Sequence, residues 1–157
     1  MAAPDAAQDA SAHQLRLCAD ALRSAHSMVV LSTGLSIVAA IGVALAGLIA
    51  GTTATAFWAA TLALGIIAQW IGFRVAFDAR LFARLADEAA AGALDLAGFD
   101  ASMSALGLMP RDKAGRDAGA RCRGALGLVR MLGMIVVLQA LFTIIAGATL
   151  HGGWAGR

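Results

Sequence analysis

At 157 residues the chain is long enough for one domain, and 60% of it is hydrophobic while only 14% is charged. Soluble domains run at roughly 45–50% apolar and about 25% charged, so a water-soluble globule cannot bury this much apolar surface; much of it must face lipid or other helices. A net charge of +2 excludes the strongly basic surface of a nucleic-acid binder, and two cysteines make no disulfide framework.

The charges cluster. No Asp, Glu, Lys or Arg occurs over the 50 residues from Ser24 to Phe73, or over the 26 residues from Met131 to Gly156. Such runs are the sequence sign of spanning helices. The fold expected is an all-α membrane protein with three transmembrane helices and helical cytoplasmic extensions.

In chain order, residues 1–27 form a cytoplasmic N-terminal helix. Leu15, Cys18, Ala19, Leu22, Ala25 and His26 recur at helical spacing, with Ser11 or Asp9 as its cap. Transmembrane helix 1 covers 28–50, whose 23 residues reach about 34 Å at 1.5 Å per residue. It is too long for the apolar region of a signal peptide, and three Asp precede it. Only Gly51, Thr52 and Thr53 separate it from transmembrane helix 2, at 54–77, so the two form an antiparallel hairpin.

Residues 78–127 are a cytoplasmic helical segment and loop. Phe77, Leu81, Leu85 and Ala89 make an apolar stripe with Phe82 beside it, and Arg84 can pair with Glu88 at i,i+4. The stripe packs upright on the other helical extensions rather than lying on the leaflet, because no Pro or Gly separates it from the span. Gly92 and Gly98 break the chain, Asp100 caps a short helix ending near Gly107, and Pro110 opens a loop. Asp117 caps the helix that enters transmembrane helix 3 at 128–150, and 151–157 is a periplasmic tail.

Orientation follows from the basic residues. Three spans put 11 of the 12 on one side, with Arg157 alone on the other, and the Lys- and Arg-rich side is the cytoplasm. Trp58 and Trp154 suit an aromatic belt at the outer interface, while Trp70 lies deeper and suits packing between helices. Arg outnumbers Lys eleven to one in an Ala-rich chain, which suits a GC-rich bacterial genome. The location expected is the bacterial inner membrane, N-terminus cytoplasmic and C-terminus periplasmic. There Cys18 and Cys122 stay reduced.

Candidate sites are sparse. His13, Cys18, His26 and Cys122 are zinc-ligand types, but without C-x-x-C or H-x-x-x-H spacing they read as packing and surface positions. His151 sits at the opposite end from the other two His, which excludes a bis-histidine haem. Cys122 lies between Arg121 and Arg123, a setting that favours a thiolate, yet no base accompanies it. No cofactor and no metal are expected.

The polar groups inside the spans are Ser32, Thr33, Ser36, Thr61, Gln69, Gln139 and Thr143. Ser36, Gln69 and Gln139 fall at one depth, about 12 Å from the inner ends of their spans at the helical rise. They form an intramembrane polar layer, read as hydrogen-bonded glue. Small residues supply helix contacts: Gly47 and Gly51, with Ser36, Ala40 and Ala44 in the same spacing, in span one; Ala68, Gly72 and Ala76 in span two; Thr143 and Gly147 in span three. Arg80, Arg84, Arg121, Arg123 and Arg130 are placed to meet lipid phosphates or a partner.

The function expected is that of a non-catalytic membrane subunit that structures, assembles or regulates a larger inner-membrane complex. Its partners are membrane lipids and either other membrane subunits or itself, with no nucleic acid. The alternative is a homo-oligomeric channel or transporter with a Ser/Gln-lined path. Thiol labelling from outside the cell tests the topology: Thr53→Cys and Gly153→Cys are expected to label, and Ala114→Cys is not. The reverse pattern inverts the orientation.

Overall fold

The computed structural model describes residues 3–49, 52–108 and 115–155, and side chains within 10–47, 52–108 and 115–149. Every element among them is an α-helix: α1 (Ala3–Ser24), α2 (His26–Ile49), α3 (Thr52–Ala90), α4 (Leu96–Ala105) and α5 (Ala118–Ala155). Three helical stretches, Ala10–Gly47, Thr52–Ala90 and Ala118–Thr149, are long and apolar enough to cross a membrane. Gly51, Pro110, Arg111, Lys113, His151, Trp154 and Arg157 lie outside the described residues or side chains.

The helix ends have identifiable causes. α1 starts at Ala3, ahead of the expected caps Ser11 and Asp9. The intervening Ala and Gln favour helix. α3 ends in a Schellman motif: Gly92 takes a φ of 72°, Gly92 N–H donates to Ala89 O and Ala93 N–H to Glu88 O. Asp95, not Asp100, caps α4, accepting from Gly98 N at 2.9 Å. Gly98 therefore lies in the first turn of α4 rather than breaking the chain, and Asp100 is free for another partner. Asp117 caps α5 through Ala120 N.

The chain forms two compact units. One comprises 1–23 and 77–127; the other comprises 24–76 and 128–157. In the first unit α1 buries Ala12, Leu15, Cys18, Ala19 and Leu22, which share one helical face. α3 buries Ala79, Phe82, Leu85, Ala86 and Ala89 there, and α5 buries Cys122 and Ala125. Of the expected stripe of α3, Leu85 and Ala89 are buried with Phe82 beside them, while Leu81 is half-buried and Phe77 is 41% exposed. Exposed ion pairs link Arg16 to Asp87 at 3.2 Å and Arg84 to Glu88 at 2.9 Å. Each is worth about 0–1 kcal/mol.

In the second unit, Ala39, Ala46, Ala54, Trp58 and Ala146 form a core against which Val43, Phe57 and Leu62 pack. The rings of Phe57 and Phe142 lie 5.9 Å apart, tilted at 56°. α2 turns Ser32, Ala39, Gly42 and Ala46 inward, so Ala40, Ala44 and Gly47 of the expected small-residue face are exposed rather than packed within the chain. Gly42 is the reason: a Cβ there would collide with the Trp58 indole. Trp58 is 5% exposed, packed within the unit, and Trp70 is 70% exposed, facing outward. Large side chains such as Ile37, Ile66, Phe73, Val137 and Ile144 face outward, a pattern that points to a membrane location.

The Trp58 contact predicts a contrast between two glycines. Gly42→Val forces the indole aside and should cost about 1–3 kcal/mol, the range for overpacking. Gly47→Val, which meets open space, should leave thermal unfolding in mild detergent unchanged or slightly raised.

Candidate functional site

Three polar arrangements stand out against the apolar background. The first is centred on Gln139, which α5 carries wholly inside the second unit at 0% exposure. Its Oε1 accepts from Ser32 Oγ at 2.8 Å, and its Nε2 donates to Ser32 O at 3.2 Å and to Ser36 Oγ at 3.1 Å. Ser36 Oγ in turn donates to Ser32 O at 2.8 Å. The amide is thus bonded on both ends. α3 closes over this knot at Gly65, where a Cβ would strike Ser36 Oγ and sit 2.8 Å from Gln139 Nε2. Gly65 was missed in the sequence, although Gly65, Ala68 and Gly72 share one helical face at three- and four-residue steps.

Of the expected polar layer, the structure brings Ser36 and Gln139 together and places Gln69 elsewhere. Gln69 Nε2 donates to Thr33 Oγ1 at 2.8 Å in an exposed pair, and Thr33 Oγ1 donates to Val29 O. Among the small residues, Ala68 is fully buried and Gly72 packs on Val29, while Gly47 and Gly147 have open space where a side chain would be.

The second arrangement is in the first unit. Asp100 and Arg121 form a buried ion pair at 2.7 Å, with side chains 8% and 10% exposed. Asp100 Oδ2 also accepts from Gly115 N at 2.8 Å, and Gly115 reaches it with a φ of +76°. Arg121 donates through Nε to Arg116 O at 2.9 Å and lies 5.7 Å from the Phe99 ring centroid. The Arg121 hydrogen bond holds the Asp100 carboxyl below the usual carboxylate range; Gly115 N–H lowers it further and burial works against both. Such a carboxylate stays ionised at neutral pH. Arg121 is therefore engaged within the unit rather than facing lipid phosphate. Arg80, Arg123 and Arg130 remain exposed, and Arg84 is paired with Glu88.

The third is the pair of thiols. Cys18 and Cys122 are both buried and line the same cleft between α1 and α5. Burial, the Cys122 neighbour and Asp78 push Cys18 up to about 12. Burial raises Cys122 as well, against the opposing pull of the Cys18 hydrogen bond and the Arg123 charge. His13 and His26 are exposed, and no three His, Cys, Asp or Glu side chains among the described residues converge as a metal site.

The buried ion pair makes a mutational and a pH prediction. Asp100→Ala leaves Arg121 buried and unpaired and should cost about 3–5 kcal/mol, whereas Asp100→Leu combined with Arg121→Met should recover most of it. Because the folded carboxyl titrates below its unfolded value, the pair's contribution is fully present above about pH 4. It is lost as pH falls through the lower folded value. Denaturant titrations of helicity across that range should show this acid loss in the wild type and not in the double variant.

Comparison with protein-family models, curated proteins and solved structures gives no match for this chain, so its function has to be argued from its own side chains.

Proposed function

We propose that the chain is a non-catalytic integral subunit of a bacterial inner membrane, N-terminus cytoplasmic and C-terminus periplasmic, that structures or regulates a larger membrane complex. The observation that carries this reading is the exposed Thr33–Gln69 pair on an otherwise apolar surface. In hydrocarbon an amide left with unmet bonding capacity is costly. A partner helix bringing its own polar side chain to Gln69 removes that cost. Gly34 and Gly47 offer open space on α2, and Gly147 does so on α5, so a second backbone can approach closely there. The surrounding surface, with Ile66, Trp70 and Phe73 outward, is of the kind that lipid or another helix covers.

The same observations weigh against a Ser/Gln-lined path. Gln139 is 0% exposed, with its amide bonded to Ser32 and Ser36. That suits glue between helices better than the lining of a conduit.

The test is to tag the N-terminus, extract the protein from native membranes in mild detergent, and determine the mass and composition of what comes with it. A stoichiometric membrane partner is expected. Gln69→Leu should lower its recovery about threefold, the effect of losing roughly 0.6 kcal/mol, while leaving the chain's own helicity intact. A pure homo-oligomer with unchanged recovery in Gln69→Leu would sink the accessory-subunit reading and turn attention to ion flux in liposomes.

A further inference from the structure

Cys18 and Cys122 are the only cysteines in the chain, 104 positions apart, yet α1 and α5 bring them to one cleft. Both are buried, at 4% and 5% exposure. Cys18 sits on the inward stripe of α1 between Leu15 and Leu22, and Cys122 stands one turn before the buried Ala125. Together they line a cleft of about 240 Å³ that Gln14, Gly119 and Arg123 also border.

We propose that this pair is a modification site: a dithiol that a small hydroperoxide converts to an intramolecular disulfide, fastening α1 to α5. It is independent of the role proposed above. Two buried thiols that line one cleft on facing helices need little movement to form an S–S bond, because neither has to be carried across the unit. The alternative use, a metal centre, has no third ligand among the described residues.

The chemistry divides between the two sulfurs. Arg123 and the Cys18 S–H both favour a thiolate at Cys122, whereas Asp78 disfavours one at Cys18. Cys122 is therefore the attacking sulfur. It displaces the distal oxygen of the hydroperoxide from its partner oxygen: an S–O bond forms, the O–O bond breaks, and the released alkoxide takes a proton to leave as the alcohol. Cys122 is then a sulfenic acid. Cys18 sulfur attacks Cys122 sulfur, and the hydroxyl leaves as water with the Cys18 proton. In sum, two thiols and one hydroperoxide give one disulfide, one alcohol and one water. The peroxide accepts two electrons, one from each sulfur. Burial keeps both thiols protonated at rest, so the conversion answers strong or sustained peroxide and leaves the pair reduced otherwise.

The experiment uses the full chain in mild detergent. It is exposed to hydrogen peroxide, then denatured, treated with N-ethylmaleimide and read by intact mass. Both maleimide adducts should disappear together, in a monomer lighter than the dithiol form by two hydrogens, and dithiothreitol should restore both. Cys18→Ser should stop at a sulfenic acid on Cys122 that dimedone traps, with helicity as the check that the variant folds. Three outcomes overturn the proposal: both adducts persisting under peroxide, one thiol oxidising while the other stays free, or the disulfide joining two chains. These readouts come from the wild type, so they stand even where the serine variant fails to fold.

Discussion

A carboxamide buried in an apolar unit has to find partners for both its ends, and the second unit is arranged around that requirement at Gln139. The amide sits at 0% exposure, where no water can reach it and an unmet bond costs on the order of 1–3 kcal/mol. Ser32 answers it twice, through its hydroxyl and its own carbonyl, and Ser36 answers it once. That fixes which face of α2 turns toward α5. It also fixes α3, because only a glycine at Gly65 leaves room for Ser36 and Gln139 together. One side chain thereby sets the register of three helices whose remaining contacts, between Ala, Gly and aliphatic groups, discriminate weakly.

The first unit uses a charged version of the same device. α4 is short and much of its surface is exposed, so its position depends on Asp100 reaching Arg121. The pair is buried, and its geometry is what makes that tolerable: Gly115 N–H and the Arg116 carbonyl take up bonding capacity that the two charges would otherwise leave open, and the Phe99 ring lies beside the guanidinium. Asp100 Oδ1 finds no partner among the described residues. The clamp therefore serves position more than stability, since an apolar pair of the same size would avoid the desolvation.

The broad organisation was legible because charge is scarce: the gaps Ser24–Phe73 and Met131–Gly156 mark the apolar stretches of α2, α3 and α5. The inward residues of α1 were legible too, since Leu15, Cys18 and Leu22 contrast with polar neighbours. The face that packs within the chain was not legible where that contrast vanishes. α2 is apolar all round, so Ala40–Ala44–Gly47 and Ala39–Gly42–Ala46 are equally plausible contact faces by spacing alone. What decides between them is the size of Trp58 on another helix, which no local pattern encodes. Asp100 was misread as a cap for the same reason: its partner Arg121 lies 21 positions away. The thiol pair was invisible as a pair because 104 positions separate its members.

The two glutamines show how placement decides chemistry. Both lie in apolar helices, and both were expected in one layer. Gln139 spends its amide inside the chain, so it specifies the fold and has little left for anything else. Gln69 donates one bond to Thr33, whose hydroxyl is already donated to Val29 O. Capacity remains on the Gln69 amide, and it lies at the surface. In the proposed membrane setting neither lipid tails nor water can use that capacity, but a polar side chain on a neighbouring helix can. Hydrogen bonds of this kind in membranes average only about 0.6 kcal/mol, too little to hold a complex together and enough to choose between registers. The affinity for a partner then has to come from packing on the surrounding apolar and small residues, with Gln69 setting where that partner sits.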